Sequence, residues 1–176
     1  HDAIDFAVRF DLLWEAGPLM HKMGRTKSFV DLLMGCECAL KCDGLLSGLQ
    51  EDPVVVYKRV RGCNHSIRDL LQHARYCADP SAYKSLQGAM ENMPVHVRYS
   101  REAYESFFPA FIEPEATPFN YTKTIGNNQW VLSIRDALRL LNESVAQEFA
   151  GEVSMDISDY VEHETRLREF AKACRR

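Results

Sequence analysis

The sequence predicts an all-α protein, an irregular helical bundle that ends in a C-terminal helical hairpin. Apolar residues recur at three- and four-residue steps along most of the chain. Residues that cap helices stand ahead of several of those runs. The one strand-like run, Val54-Val55-Val56-Tyr57, has no comparable run to pair with, and an isolated strand would leave its backbone hydrogen bonds unmade. At 176 residues the chain fits one helical domain over 1–176. A chain of that size buries roughly two-thirds of its unfolded surface without a second core.

The elements follow in order. Ile4, Ala7, Phe10 and Trp14 mark a first helix over 3–14, stopped by Gly17-Pro18. From Lys27 to about Leu49 the apolar stripe is too wide for a surface helix, so a long helix buried on much of its girth is expected. The segment after Pro53 reads as an extended connector or short helix. Asn64 or Ser66 can cap a helix over about 65–77, and Asp79-Pro80 opens another over about 80–92. Ser100 with Glu102 opens a further short one ending near Phe107 or Phe108. A long loop or crossover is expected at about 113–128, where prolines, a glycine and capping-type polar residues concentrate. The hairpin comes last. Its first arm carries Trp130, Ile134, Leu138, Leu141 and Val145, Gly151 breaks the chain, and Ile157, Tyr160, Val161, Leu167, Phe170 and Cys174 form the second.

Composition excludes several classes. A formal net charge of −4 and a pI near 5.9 give no general attraction to phosphate backbones. Nucleic acid is therefore an unlikely partner, even with the basic cluster Lys58-Arg59-Val60-Arg61, which reads first as a solvated face. No transmembrane segment is expected, since the longest apolar stretch, 29–49, is broken by Asp31, Glu37, Lys41 and Asp43. The chain lacks the H-E-x-x-H, G-x-G-x-x-G, phosphate-loop and G-x-S-x-G patterns, and no catalytic residue is assigned. Cys63 beside His65 invites a nucleophile and base, but residues two apart do not face each other on a helix and the sequence names no orienting acid.

Six cysteines, three of them in Cys36-Glu37-Cys38-Ala39-Leu40-Lys41-Cys42, admit three readings. As disulfide partners, Cys36, Cys38, Cys42, Cys63, Cys77 and Cys174 would have to bridge between elements. Over a helix at 65–77, Cys63 and Cys77 would stand about 20 Å apart, beyond bridging distance. As metal ligands, Cys38 with Cys42 and His73 with Cys77 each place two donors four residues apart, and together could close a zinc site. No other cofactor is expected. As filler, they are small buried apolar side chains. Three N-x-[ST] sequons, at Asn64, Asn120 and Asn142, accompany the cysteines, and the combination favours a secreted, disulfide-bonded glycoprotein over a cytoplasmic one.

The functional expectation is a non-enzymatic protein-protein recognition domain, an ectodomain or secreted protein. Its partner surface is assigned to the aromatics Phe107, Phe108, Phe111, Phe119, Tyr121 and Trp130, because such residues dominate binding hot spots. The competing reading of those rings is a lid folded back on the bundle. Two alternatives stand beside the recognition domain: an intracellular helical adaptor or scaffold that forms a homodimer through the hairpin, and a helical domain with a Cys/His zinc site.

Overall fold

The computed structural model describes residues 1–16, 22–93, 97, 107, 121–148 and 156–175. Seven helices lie among them: α1 (Asp2–Glu15), α2 (Lys22–Leu46), α3 (Pro53–Gly62), α4 (Ile67–Leu71), α5 (Pro80–Met90), α6 (Asn128–Glu148) and α7 (Ile157–Arg175). No strand occurs among the described residues, so the all-α class stands. None of the described helices is long and apolar enough to cross a membrane. The helix expected from Ser100 and the Gly17-Pro18 and Gly151 breaks lie outside the described residues. The loop expected at 113–128 is described only from Tyr121, where 121–126 forms turns.

Caps decide where the short helices begin. Asp52 accepts from the backbone of Val54 at 2.7 Å and Val55 at 3.3 Å, with Pro53 at the first helical position. That cap turns three consecutive valines into helix, a local signal that outweighs their strand preference. Ser66 caps α4 by accepting from Asp69 N at 3.2 Å, and Asp79 caps α5 by accepting from Ser81 N at 2.9 Å.

The helix expected over 65–77 is cut short at Leu71. Past that point the backbone N–H groups find partners on α2 and the turn after it. Ser47 Oγ takes Arg75 N at 2.9 Å, and the Asp43 carboxylate takes Tyr76 N and Cys77 N at 3.0 Å each. Each donor held by a side chain is one that an α-helical ladder would otherwise need, so the helix has no reason to continue.

Helix α2 is the centre of the bundle, buried at Phe29, Leu32, Leu33, Cys36, Ala39 and Leu40. Against it pack α1, α4, the apolar face of α6 (Val131, Ile134, Leu138, Leu141), and through α6 the α5 residues Leu86 and Met90. The helices meet closely at Gly35, where an added Cβ would lie 2.8 Å from Leu138 Cδ2 and 3.4 Å from Phe6 Cβ. A helical glycine costs about 1 kcal/mol relative to alanine. Here it admits α1 and α6 to the same stretch of α2. Arg135 on α6 grips Asp11 on α1 with two nitrogens, Nε at 2.7 Å, and ties the third side of that triangle.

One expectation about α1 is corrected. Its buried face is Ala3, Ala7 and Phe10, with Trp14 stacked on Phe10 at 5.6 Å, while Ile4 stands in solvent. The apolar side of this helix is wide enough for two faces, and α2 covers only one.

The last two helices are both present, but α7 is held chiefly by α3. Phe170 meets Tyr57 edge-on at a centroid distance of 5.4 Å, and Cys174 lines the small cleft beside them with Arg61.

Candidate functional site

The described chemistry gathers in three places: a buried acid beside a histidine, a carboxylate clasp under α4, and an apolar groove beside α1. The first is Glu37, buried on α2, which accepts from Lys41 Nζ at 2.6 Å and lies 2.8 Å from His65 Nδ1. This is the orienting acid for His65 that the sequence left unnamed, since Glu37 and His65 stand 28 residues apart. The dyad is not extended to a nucleophile. Cys63 Sγ is buried and turned to Arg59 O at 3.5 Å, and burial pushes its thiol above the ordinary range. A protonated, buried thiol is a poor nucleophile.

The clasp is Asp43, buried at the C-terminal end of α2. Besides the two backbone donors it accepts from Tyr83 Oη at 2.6 Å and from Ser47 Oγ at 3.3 Å. Burial and the Asp43 carboxylate both raise the Tyr83 phenol, so it stays a hydrogen-bond donor at any physiological pH. A buried carboxylate with four donors is stable where it is, and it fixes the 75–77 loop. Sequence reasoning missed it. The available signal was an acid at a position in phase with the apolar stripe of a buried helix.

The groove is a cavity of about 750 Å³ between α1, α2, α6 and α7. Its walls include Ala3 and Ile4 from α1, Ala39 and Cys42 from α2, and Val145 and Ala146 from α6. Three alanines at facing positions leave the hollow, because no side chain longer than a methyl reaches in from those sites. Beside it, Ile4, Val8 and Leu12 are 47%, 51% and 63% exposed. Four-residue spacing places them one above another, as a ridge along the outside of α1.

The cysteines are all free thiols, which corrects the disulfide expectation: Cys36, Cys63 and Cys77 are buried, and Cys38, Cys42 and Cys174 half-buried. They are distributed over separate environments. Cys36 faces the core, Cys77 Sγ donates to Asp79 O and Leu140 O at 3.8 Å each, and Cys174 sits by Phe170. Burial raises the thiols of Cys36, Cys38 and Cys42. The zinc quartet is likewise dispersed. Because α4 ends at Leu71, His73 and Cys77 do not share a helix face. His73 lines a polar cleft with Arg59 and Arg75, whereas Cys42 lines the apolar groove. Among the described residues no three Cys, His, Asp or Glu side chains stand together to hold a metal ion.

Of the six aromatics assigned to partner binding, Phe108, Phe111 and Phe119 lie outside the described residues. The other three pack inward. Phe107 is buried edge-on against Phe29 at 5.9 Å, Trp130 lies 5.5 Å from the same ring, and Tyr121 is half-buried against the core with its N–H on Phe107 O at 2.8 Å. Arg25 holds this corner, stacked over Trp14 at 4.9 Å and donating to Asn128 Oδ1 at 2.9 Å.

The sequons also differ. Asn64 is exposed in the turn after α3, with φ of 50° and its amide on Gly62 O at 3.2 Å. Asn142 is half-buried in mid-helix, with its amide toward Ala3 O at 3.5 Å and its side chain in the groove wall. Asn120 lies outside the described residues.

No protein-family model, curated protein or solved structure matches this chain. Its class is set by its own architecture, an all-α bundle built on one buried central helix. Fold of that kind hosts unrelated functions, so the functional argument rests on the surfaces.

Proposed function

We propose that the chain is a non-enzymatic helical recognition domain that binds a protein partner through α1 and the groove beside it. The observation that carries this reading is the ridge of Ile4, Val8 and Leu12 bordering the alanine-lined groove. An apolar stripe next to an apolar hollow suits an amphipathic helix of the partner, whose own side chains at three- and four-residue spacing fill the groove while its flank covers the ridge.

A photo-crosslinking amino acid placed at Val8, with another at the exposed Lys84 on α5 as control, tests it. A discrete partner, identified by mass spectrometry, is expected from position 8 alone and is lost when Leu12→Glu is added. Equal labelling from both positions, or labelling indifferent to Leu12→Glu, sinks the assignment.

A second reading, a homodimerising adaptor, draws support from α7, where Ile157, Val161 and Leu167 are 81%, 59% and 46% exposed. Sedimentation across a wide concentration range is the test. A mass that rises toward two chains supports it, and a monomer throughout removes it.

A further inference from the structure

A polar cleft of about 490 Å³, sharing no lining residue with the apolar groove, opens between the end of α2, α3 and the loop after α4. Its walls bring together Ser47, Arg59, Gln72, His73 and Arg75, side chains from three separate segments. The donors and acceptors there are out of balance.

Three carboxylates at or beside the cleft are already occupied. Glu51 in the wall is held by Arg59 Nη1 and Nη2 at 2.8 and 2.7 Å. Asp43 beneath it has its four donors, and Glu148 at the edge accepts from Tyr76 Oη. The donors are not occupied to match. Among the described residues the Arg75 guanidinium has only a long contact to Gln72 O at 3.5 Å. The side chains of Gln72 and His73 make no hydrogen bond among the described residues, and Arg59 Nε is buried without a partner. Guanidinium, amide and imidazole groups around one hollow, with the local acids saturated, favour an acceptor-only ligand. Glu51 shows what such a ligand looks like, because its carboxylate fills one guanidinium fork at the wall while the other fork stays open.

The geometry points to a binding site for a small organic oxyanion, a carboxylate or phosphate monoester, seated on Arg75 with Gln72 and His73 and bordered by the Arg59–Glu51 pair. The volume lies in the range of small-ligand sites and admits a compact organic body behind the charged head. This site is independent of the α1 ridge and stands or falls separately from the recognition reading.

Titrating the whole chain with inorganic phosphate, phenyl phosphate and benzoate, followed by NMR of the 72–76 amides and the Arg75 Nε–H, tests it. Saturable shifts confined to the cleft are expected with at least one organic anion. Preference for phenyl phosphate identifies a phosphoryl ligand and preference for benzoate a carboxylate. Arg75→Gln is expected to weaken binding about tenfold, since a charge-assisted contact is lost. Glu51→Gln is expected to tighten it, since the Arg59 fork is released to the ligand. Arg75 is exposed and its backbone N–H still reaches Ser47 in the variant, so the fold is retained; Gln72→Ala gives a second reading of the same wall. No saturable shift with any of the three anions overturns the proposal, as does binding that neither Arg75→Gln nor Gln72→Ala weakens.

Discussion

Helices α6 and α7 carry the same kind of apolar period, yet the bundle covers one and leaves much of the other in water. On α6, Val131, Ile134, Leu138 and Leu141 are all buried, because α2 and α5 supply opposing surfaces. On α7 the described ring contact is at the C-terminal end, where Phe170 meets Tyr57 of α3, while Ile157 and Val161 stand exposed. Periodicity states that a helix has an apolar face; whether the face is core or interface depends on what the rest of the chain brings to it. The same contrast occurs within α1, whose Ala3, Ala7 and Phe10 are core and whose Ile4, Val8 and Leu12 are ridge.

Substitutions can break that contrast or sharpen it. The largest effect is expected from Leu138→Ala, which empties a fully buried site against α2 and should cost roughly 3 to 5 kcal/mol in urea unfolding. Asp43→Ala should follow at roughly 2 to 4 kcal/mol, because Tyr76 N and Tyr83 Oη lose their acceptor and Cys77 N keeps only Tyr83 Oη. Asp43→Asn, which keeps an acceptor oxygen, should recover part of it, and an equal loss in both variants would show that charge rather than hydrogen bonding holds the loop. On α7 the numbers shrink. Phe170→Ala removes an edge-on ring pair at a half-buried position and should cost about 1 kcal/mol. A loss as large as that of Leu138→Ala would mean that α7 belongs to the cooperative core. Val161→Glu should leave stability within about 0.5 kcal/mol while lowering any self-association measured by sedimentation.

The smallest expected effect is a pH dependence at the start of α7. Asp156 is held below the ordinary carboxylate range by the Ser158 hydroxyl and then by Ser158 N–H. A carboxylate depressed in the folded state stabilises the helix above its unfolded value, near pH 4, and loses that effect as pH falls through the lower folded value. Acid titration followed by circular dichroism should therefore show α7 fraying at low pH, and Asp156→Ala should remove the dependence without moving the core transition.

Much of the fold was legible because it rests on local chemistry. The caps at Ser66 and Asp79 are read from adjacent residues, since a cap acts within one helical turn. The wide burial of α2 followed from a stripe too broad for a surface helix. The candidate sites were less legible, since each depends on residues far apart in the chain. Glu37 meets His65 and Asp43 meets Tyr83 only after α2 has packed on α4 and α5's neighbourhood. The cysteines misled for a related reason, because whether thiols on separate elements meet is decided by packing, and Cys36, Cys77 and Cys174 end in separate environments.

The sequence by itself determined the helical class, the caps and the buried character of α2, all of which follow from interactions spanning a few residues. Tertiary structure alone decided where α4 stops, which half of α1 is core, and which donors are left open at the cleft. Those outcomes are competitions between distant groups for the same hydrogen bond or the same apolar surface, and a competition is settled only when both rivals are in place.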